Sequence, residues 1–92
     1  MIRLFVRHKV ANFAAWRKGY DAFDATRKKM GVRAAAVFRG AIDPNEVTIW
    51  HDLDTLVAAQ ALVKSPELAA AMKNAGVTGP PEVWFADRDM PA

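Results

Sequence analysis

The sequence predicts an α+β fold: one four-stranded sheet with its helices on a single face. Three observations carry this. Segments of alternating apolar and polar residues open the chain, close it and occupy its middle. Stretches with apolar residues at three- and four-residue spacing separate them. The resulting order is β-α-β-β-α-β, two split βαβ units.

In "IRLFVRHKV", Ile2, Leu4, Val6, His8 and Val10 fall on one side and Arg3, Phe5, Arg7 and Lys9 on the other, as in a strand with one buried face. Asn12 can cap a helix whose apolar positions are Phe13, Trp16, Tyr20 and Phe23. That helix is expected to run through "TRKKM", whose cations suit a helix C-terminus, and to stop at Gly31. "VRAAAVFRG" is the second strand. "DPNE", 43–46, has turn chemistry, since Asp accepts locally, Pro fixes the first corner and Asn tolerates the second. "VTIWH" is the returning strand.

Asp52 or Asp54 is the expected cap of a helix containing Leu53, Leu56, Val57, Leu62 and Val63. The helix restarts at "SPEL", with Ser65 as cap, Pro66 in the first turn and Glu67 favourable to the dipole; Gly76 ends it. "GPP" is a stiff connector to the last strand, "EVWFADR". A single ferredoxin-like domain over 1–88 is expected, with 89–92 a short loose tail. The sheet is of antiparallel type in the order 4-1-3-2, with strands 1 and 3 adjacent in the middle and expected to run parallel.

Ninety-two residues, 52% hydrophobic and 25% charged, suit one globular core. The absence of cysteine removes disulfides, thiolate nucleophiles and cysteine-ligated metals, and fits a reducing, cytoplasmic setting. "MIRLFVRHKV" lacks the apolar stretch of a signal peptide, and "AAAVF" is too short to cross a bilayer, so no membrane partner is expected. A net charge of +3 does not by itself indicate nucleic acid.

The chain's two histidines, His8 and His51, end apolar strands in register with the helix-covered side. Parallel central strands would bring both imidazoles to one sheet edge, under Trp16 and Tyr20 of the first helix. The candidate pocket therefore has His8 and His51 as titratable groups, Trp16 and Tyr20 as orienting groups, and Val6, Ile49 and Phe85 as walls. The alternative is a closed core, with both rings bonded to backbone carbonyls and the aromatics simply packing. Two histidines without a converging carboxylate fall short of a metal site.

The opposite face is expected to carry Arg3, Phe5, Arg7, Arg33, Val37, Thr48, Trp50, Trp84 and Arg88. Burying an aromatic's roughly 150–250 Å² is worth up to about 4–6 kcal/mol at about 25 cal/mol per Å², so Phe5, Trp50 and Trp84 call for a partner surface. A second copy meeting it sheet to sheet is the simplest partner, with Arg7 and its neighbours stacking on indoles or pairing with Glu82 and Asp52. The rival is single-stranded RNA, stacked on Phe5 and Trp50 as in the RNA-recognition domain. The signature expected on strand 3 is absent from "NEVTIWHD".

The segments "VRHKVANFAAWRKGYDAF", "VFRGAIDPNEVTIWHDLD" and "SPELAAAMKNAGVTGPPEVWF" resemble the small antibiotic biosynthesis monooxygenase-like proteins of the dimeric α/β-barrel superfamily. The resemblance spans nearly the whole chain. It is strongest in "RHKV…W", "DPNEV" and "GPPEV". It implies a homodimeric barrel and a pocket between helices and sheet for a small aromatic or polyketide-like molecule. Two outcomes follow: a cofactor-free monooxygenase or cyclase with His8 as base, or a dimeric scaffold without catalysis. His51 stands where such relatives carry aspartate, as in "WDDL". Haem-degrading relatives bind haem through a histidine on the second helix, and none occurs between Leu56 and Ala75.

Overall fold

The computed structural model describes residues 1–89. Most of the expected tail, 90–92, lies outside them. Eight elements form the fold: β1 (Ile2–Lys9), α1 (Phe13–Ala22), α2 (Asp24–Lys29), β2 (Ala34–Arg39), β3 (Glu46–Leu53), α3 (Leu56–Lys64), α4 (Pro66–Asn74) and β4 (Glu82–Asp87). The sheet order is β2-β3-β1-β4, the ferredoxin-like arrangement. Among the described residues no helix is long and apolar enough to cross a membrane.

Every neighbouring pair in the sheet is antiparallel, including β1 with β3, which corrects the expected parallel pair. The crossover from β1 leaves β2 running the same way, and the tight 40–46 hairpin then reverses β3 against both. Leu4 faces His51, Val6 faces Ile49 and His8 faces Val47. The two histidines therefore share a face but lie four residues apart along the sheet, not at a common edge.

The "DPNE" turn forms as its residues require. Asp43 Oδ1 accepts from the Asn45 N–H at 3.0 Å, and the Asp43 carbonyl accepts from the Glu46 N–H at 3.1 Å. Asn45 Oδ1 in turn accepts from the Phe13 N–H at 3.0 Å, fixing the start of α1 against the hairpin. Asn12 caps α1 through the Ala15 N–H. The first helical region divides in two: Phe23 (φ −87°, ψ −1°) is a turn residue between α1 and α2, its N–H donating to the Gly19 carbonyl and its carbonyl accepting from the Arg27 N–H. The second helical region is capped by Thr55, not by Asp52 or Asp54. β3 continues through Leu53, whose side chain is fully buried in the core, and this strand pairing overrides the helix start. Asp54 instead pairs with Arg33 at 2.8 Å. Ser65 caps α4 through the Leu68 N–H, with Pro66 beginning the helix as expected.

The helices cover one face, and the core beneath them falls into two clusters. Leu4, Val6, Val32, Leu53, Ala59 and Leu62 form the first. Val10, Trp16, Val47 and Ile49 form the second. Val37, expected on the open face, pairs with Ile49 and packs against the second cluster, because β2 alternates in phase with β3.

At Gly40 an added Cβ would lie 2.3 Å from the Asp43 carbonyl oxygen, a collision with backbone that cannot rotate away. Gly40→Ala is therefore expected to lower stability by about 1–3 kcal/mol through a forced shift of the hairpin. Urea denaturation read by circular dichroism would check this; an unchanged midpoint would contradict it.

Candidate active site between sheet and helices

The strand phase decides what faces the helices. Successive side chains alternate, so His8, Val6 and Leu4 on β1 and Ile49 and His51 on β3 all point the same way. Trp16 and Tyr20 are four residues apart on α1 and reach down onto this row. The result is an open pocket with these sheet residues as its floor, α1 as one wall, and Leu68 and Met72 of α4 as the other. Its enclosed volume is about 50 Å³, its mouth opens to solvent, and its lining is overwhelmingly apolar.

Trp16 and Tyr20 bridge the gap between the histidines. The His8 ring meets Trp16 edge-on at 5.7 Å, Trp16 stacks on Tyr20 at 4.9 Å, and Tyr20 stacks on His51 at 6.0 Å. The Tyr20 hydroxyl and His51 Nε2 lie 3.0 Å apart and share one hydrogen bond, whose donor depends on the imidazole tautomer. Neither ring nitrogen of His8 has a hydrogen-bond partner in the protein, and His51 Nδ1 also lacks one. His8 is only 6% exposed. A buried imidazole without a partner costs stability, and a closed, self-satisfied core would not leave one so.

Burial holds the His8 imidazole below its usual pKa. His51 is lowered to about 4, first by burial and then by the positive charge of Arg27, with Asp52 opposing. Burial raises the Tyr20 phenol, against the pull of Arg27 and Arg17. At neutral pH the pocket thus holds two uncharged imidazoles, each with a basic nitrogen, and a protonated phenol. Among the described residues no group of three histidine, cysteine or carboxylate side chains converges.

Val6 and Ile49 line the pocket as expected. Phe85 does not, which corrects that assignment: it shares the helix-side register with Leu4, but β4 is an edge strand and the ring is partly exposed. The sequence reading missed Arg27, which reaches the pocket from α2 and is 4% exposed. "TRKK" reads as a solvated helix end, although Arg27 continues the four- and three-residue spacing of Trp16, Tyr20 and Phe23 that marks the inward face.

On the open face Phe5 and Trp84 stack at 5.3 Å, and Arg3 lies 3.6 Å over Trp50 while pairing with Asp52 at 2.8 Å. Within the chain, Arg7 pairs with Glu46 at 2.6 Å. Trp84 remains 43% exposed.

No protein-family profile matches the chain, and no curated protein matches it. Solved structures do. A candidate antibiotic biosynthesis monooxygenase from Bordetella bronchiseptica superposes with a TM-score of 0.83 at 17% identity, over 97% of both chains. A second candidate of that kind, from Caulobacter crescentus, gives 0.76 at 17% identity, over 97% of this chain and 90% of its own. SnoaB, a cofactor-independent oxygenase from Streptomyces nogalater, gives 0.75 at 14% identity, over 99% of this chain and 97% of its own. The chain therefore has the ferredoxin-like α+β fold of these oxygenase structures. At such identities the likeness is one of fold.

The low His51 pKa fixes a pH dependence. The folded value is about 4 and the unfolded one about 6.5, so between them the unfolded chain binds the extra proton. The His51 contribution is complete above pH 6.5 and is lost as the pH falls toward 4, a change of about 3 kcal/mol. In His51→Gln the decline in the urea midpoint across that window is expected to be correspondingly smaller. Identical pH profiles for the two proteins would contradict the assignment.

Proposed function

We propose that this protein is a cofactor-independent oxygenase acting on a small, mostly apolar phenol or quinol bound between sheet and helices. The observation that carries the reading is the buried His8 imidazole, bordering an open apolar pocket with neither nitrogen bonded to the protein. The relatedness of fold to a cofactor-independent oxygenase agrees with it.

In this mechanism a His8 nitrogen takes the phenolic proton, as a neutral imidazole can at neutral pH. The phenolate places negative charge on a ring carbon, which passes one electron to dioxygen. The two radicals then combine into a C–O bond. The peroxide anion recovers a proton from the imidazolium. Loss of water, taking the hydrogen from the same ring carbon, leaves a quinone. A phenol and one O₂ thus give a quinone and one H₂O, with His8 restored. The Trp16 and Tyr20 rings border the bound substrate at the wall of the pocket, and the apolar lining keeps water from the phenolate. The same base would serve a cyclase, where the carbanion attacks a carbonyl in place of oxygen.

The working unit in this reading is a homodimer meeting through the open face, because Trp84 and the half-buried Phe5 and Trp50 lie together there. The partner sheet would close the two halves into a barrel.

Titrating a panel of naphthols and hydroquinones, with intrinsic tryptophan fluorescence for binding and an oxygen electrode for turnover, tests the proposal. His8→Ala is expected to lower oxygen uptake by about 10²–10⁴-fold while leaving the oligomer intact. Undiminished uptake would remove His8 from the chemistry. For the dimer, Trp84→Glu places a charge on an exposed position that the monomer's core does not need. Light scattering should show the mass falling to that of one chain; an unchanged mass would contradict the open-face interface.

A further inference from the structure

Beside the base, the pocket holds a charge that the proposed reaction does not use. Arg27 is 4% exposed and borders the same cavity as His8 and His51. Its guanidinium lies flat on the Tyr20 ring at 3.6 Å, and Nη1 donates to the Tyr20 carbonyl oxygen at 2.5 Å. The counter-charge is Asp24, 3.3 Å from Nη2. That carboxylate is half exposed and also serves Lys28 at 3.0 Å. One screened carboxylate thus faces two cations, and the buried cation is not fully neutralised. Its field reaches across the pocket, where it disfavours protonation of His51.

A guanidinium stays charged in a protein, and holding one under-neutralised in an apolar site costs several kcal/mol. Packing alone would be served as well by a leucine or methionine. A planar cation stacked on an aromatic ring, at the edge of an apolar pocket, is placed to meet an oxyanion carried on a ligand bound there.

We infer that Arg27 is a specificity-determining residue, which selects aromatic ligands bearing an ionised oxygen, a phenolate or a carboxylate, over neutral ligands of the same shape. The inference rests on the pocket being the ligand site, as proposed above, and adds the charge class of the ligand. The anionic oxygen sits toward Arg27 and the Tyr20–His51 pair, and the ring lies along the apolar floor toward His8. Arg27 then acts on binding, by favouring the ionised form of a phenol that His8 has deprotonated.

Binding separates this from the oxygenase reading. The probes are 2-naphthoate and its neutral counterpart 2-naphthalenemethanol, titrated at neutral pH by intrinsic tryptophan fluorescence and by calorimetry. The wild-type protein is expected to bind the carboxylate about tenfold or more tighter than the alcohol. Arg27→Gln should lose that preference while keeping its affinity for the alcohol, which shows that the pocket still forms. Arg27→Lys, which keeps the charge without the planar stack, should retain part of it. As a second readout, 4-nitrophenol bound to the wild-type protein should show more of the phenolate absorbance than it does in buffer, and no such excess with Arg27→Gln. Equal wild-type affinity for the two naphthalene probes would overturn the role of Arg27 and leave the pocket standing as a binding site. Binding of neither probe would overturn the pocket reading itself, and this inference with it.

Discussion

The register of β1 against β3 is the constraint from which the site and the surface both follow. With Leu4 opposite His51 and Val6 opposite Ile49, alternation sends every second side chain of both strands beneath the helices. A slip of one residue would place Arg3, Arg7, Trp50 and Asp52 in the core and both imidazoles in solvent. The register is held at several points: by the Asp43–Glu46 turn, by the Arg3–Asp52 pair across the open face, and by Leu4, Val47 and Leu53, which are fully buried. The chemistry of the pocket is thus secured by contacts that are not part of it.

The helical layer leaves the pocket open because it presses on the sheet at two places and not in between. One cluster gathers around Leu53 and Leu62, the other around Trp16 and Val47. The cavity borders both, through Leu4 and Leu62 on one side and Trp16 and Ile49 on the other. An imidazole placed in the middle of a filled core would have found a carbonyl or been replaced by an apolar residue; His8 has neither fate. Gly19 explains how the walls can converge above the cavity without closing it. Its missing Cβ, which would lie 2.9 Å from the Ala75 Cβ, lets α1 approach closely the chain at the C-terminal end of α4.

Much of this was legible in the sequence, and what was not has physical causes. Period-two alternation placed His8, Val6, Ile49 and His51 inward and Phe5, Trp50 and Trp84 outward, because strand phase is local information. The direction of β3 against β1 is a property of the path between them. Taking it as parallel brought the histidines to one edge, whereas Trp16 and Tyr20 span the distance between them. Leu53 and Thr55 show strand pairing winning over the capping that Asp52 and Asp54 offer three and one residues before Thr55. Arg27 was passed over because a charged residue in a basic run looks solvated, although its spacing from Trp16, Tyr20 and Phe23 already set it on the inward face.

α4 is the wall whose own side chains are nowhere fully buried, although Leu68 and Met72 border the cavity. It is held at its ends, by the Ser65 cap and by the Val10–Val77 bridge just beyond it. Exchanges at Met72 therefore reshape the chamber while drawing less on the free energy that keeps the molecule folded than exchanges at Leu68, which packs against the core. The shape of the chamber can thus be changed by editing one helix, with His8, the aromatic row and the sheet left untouched.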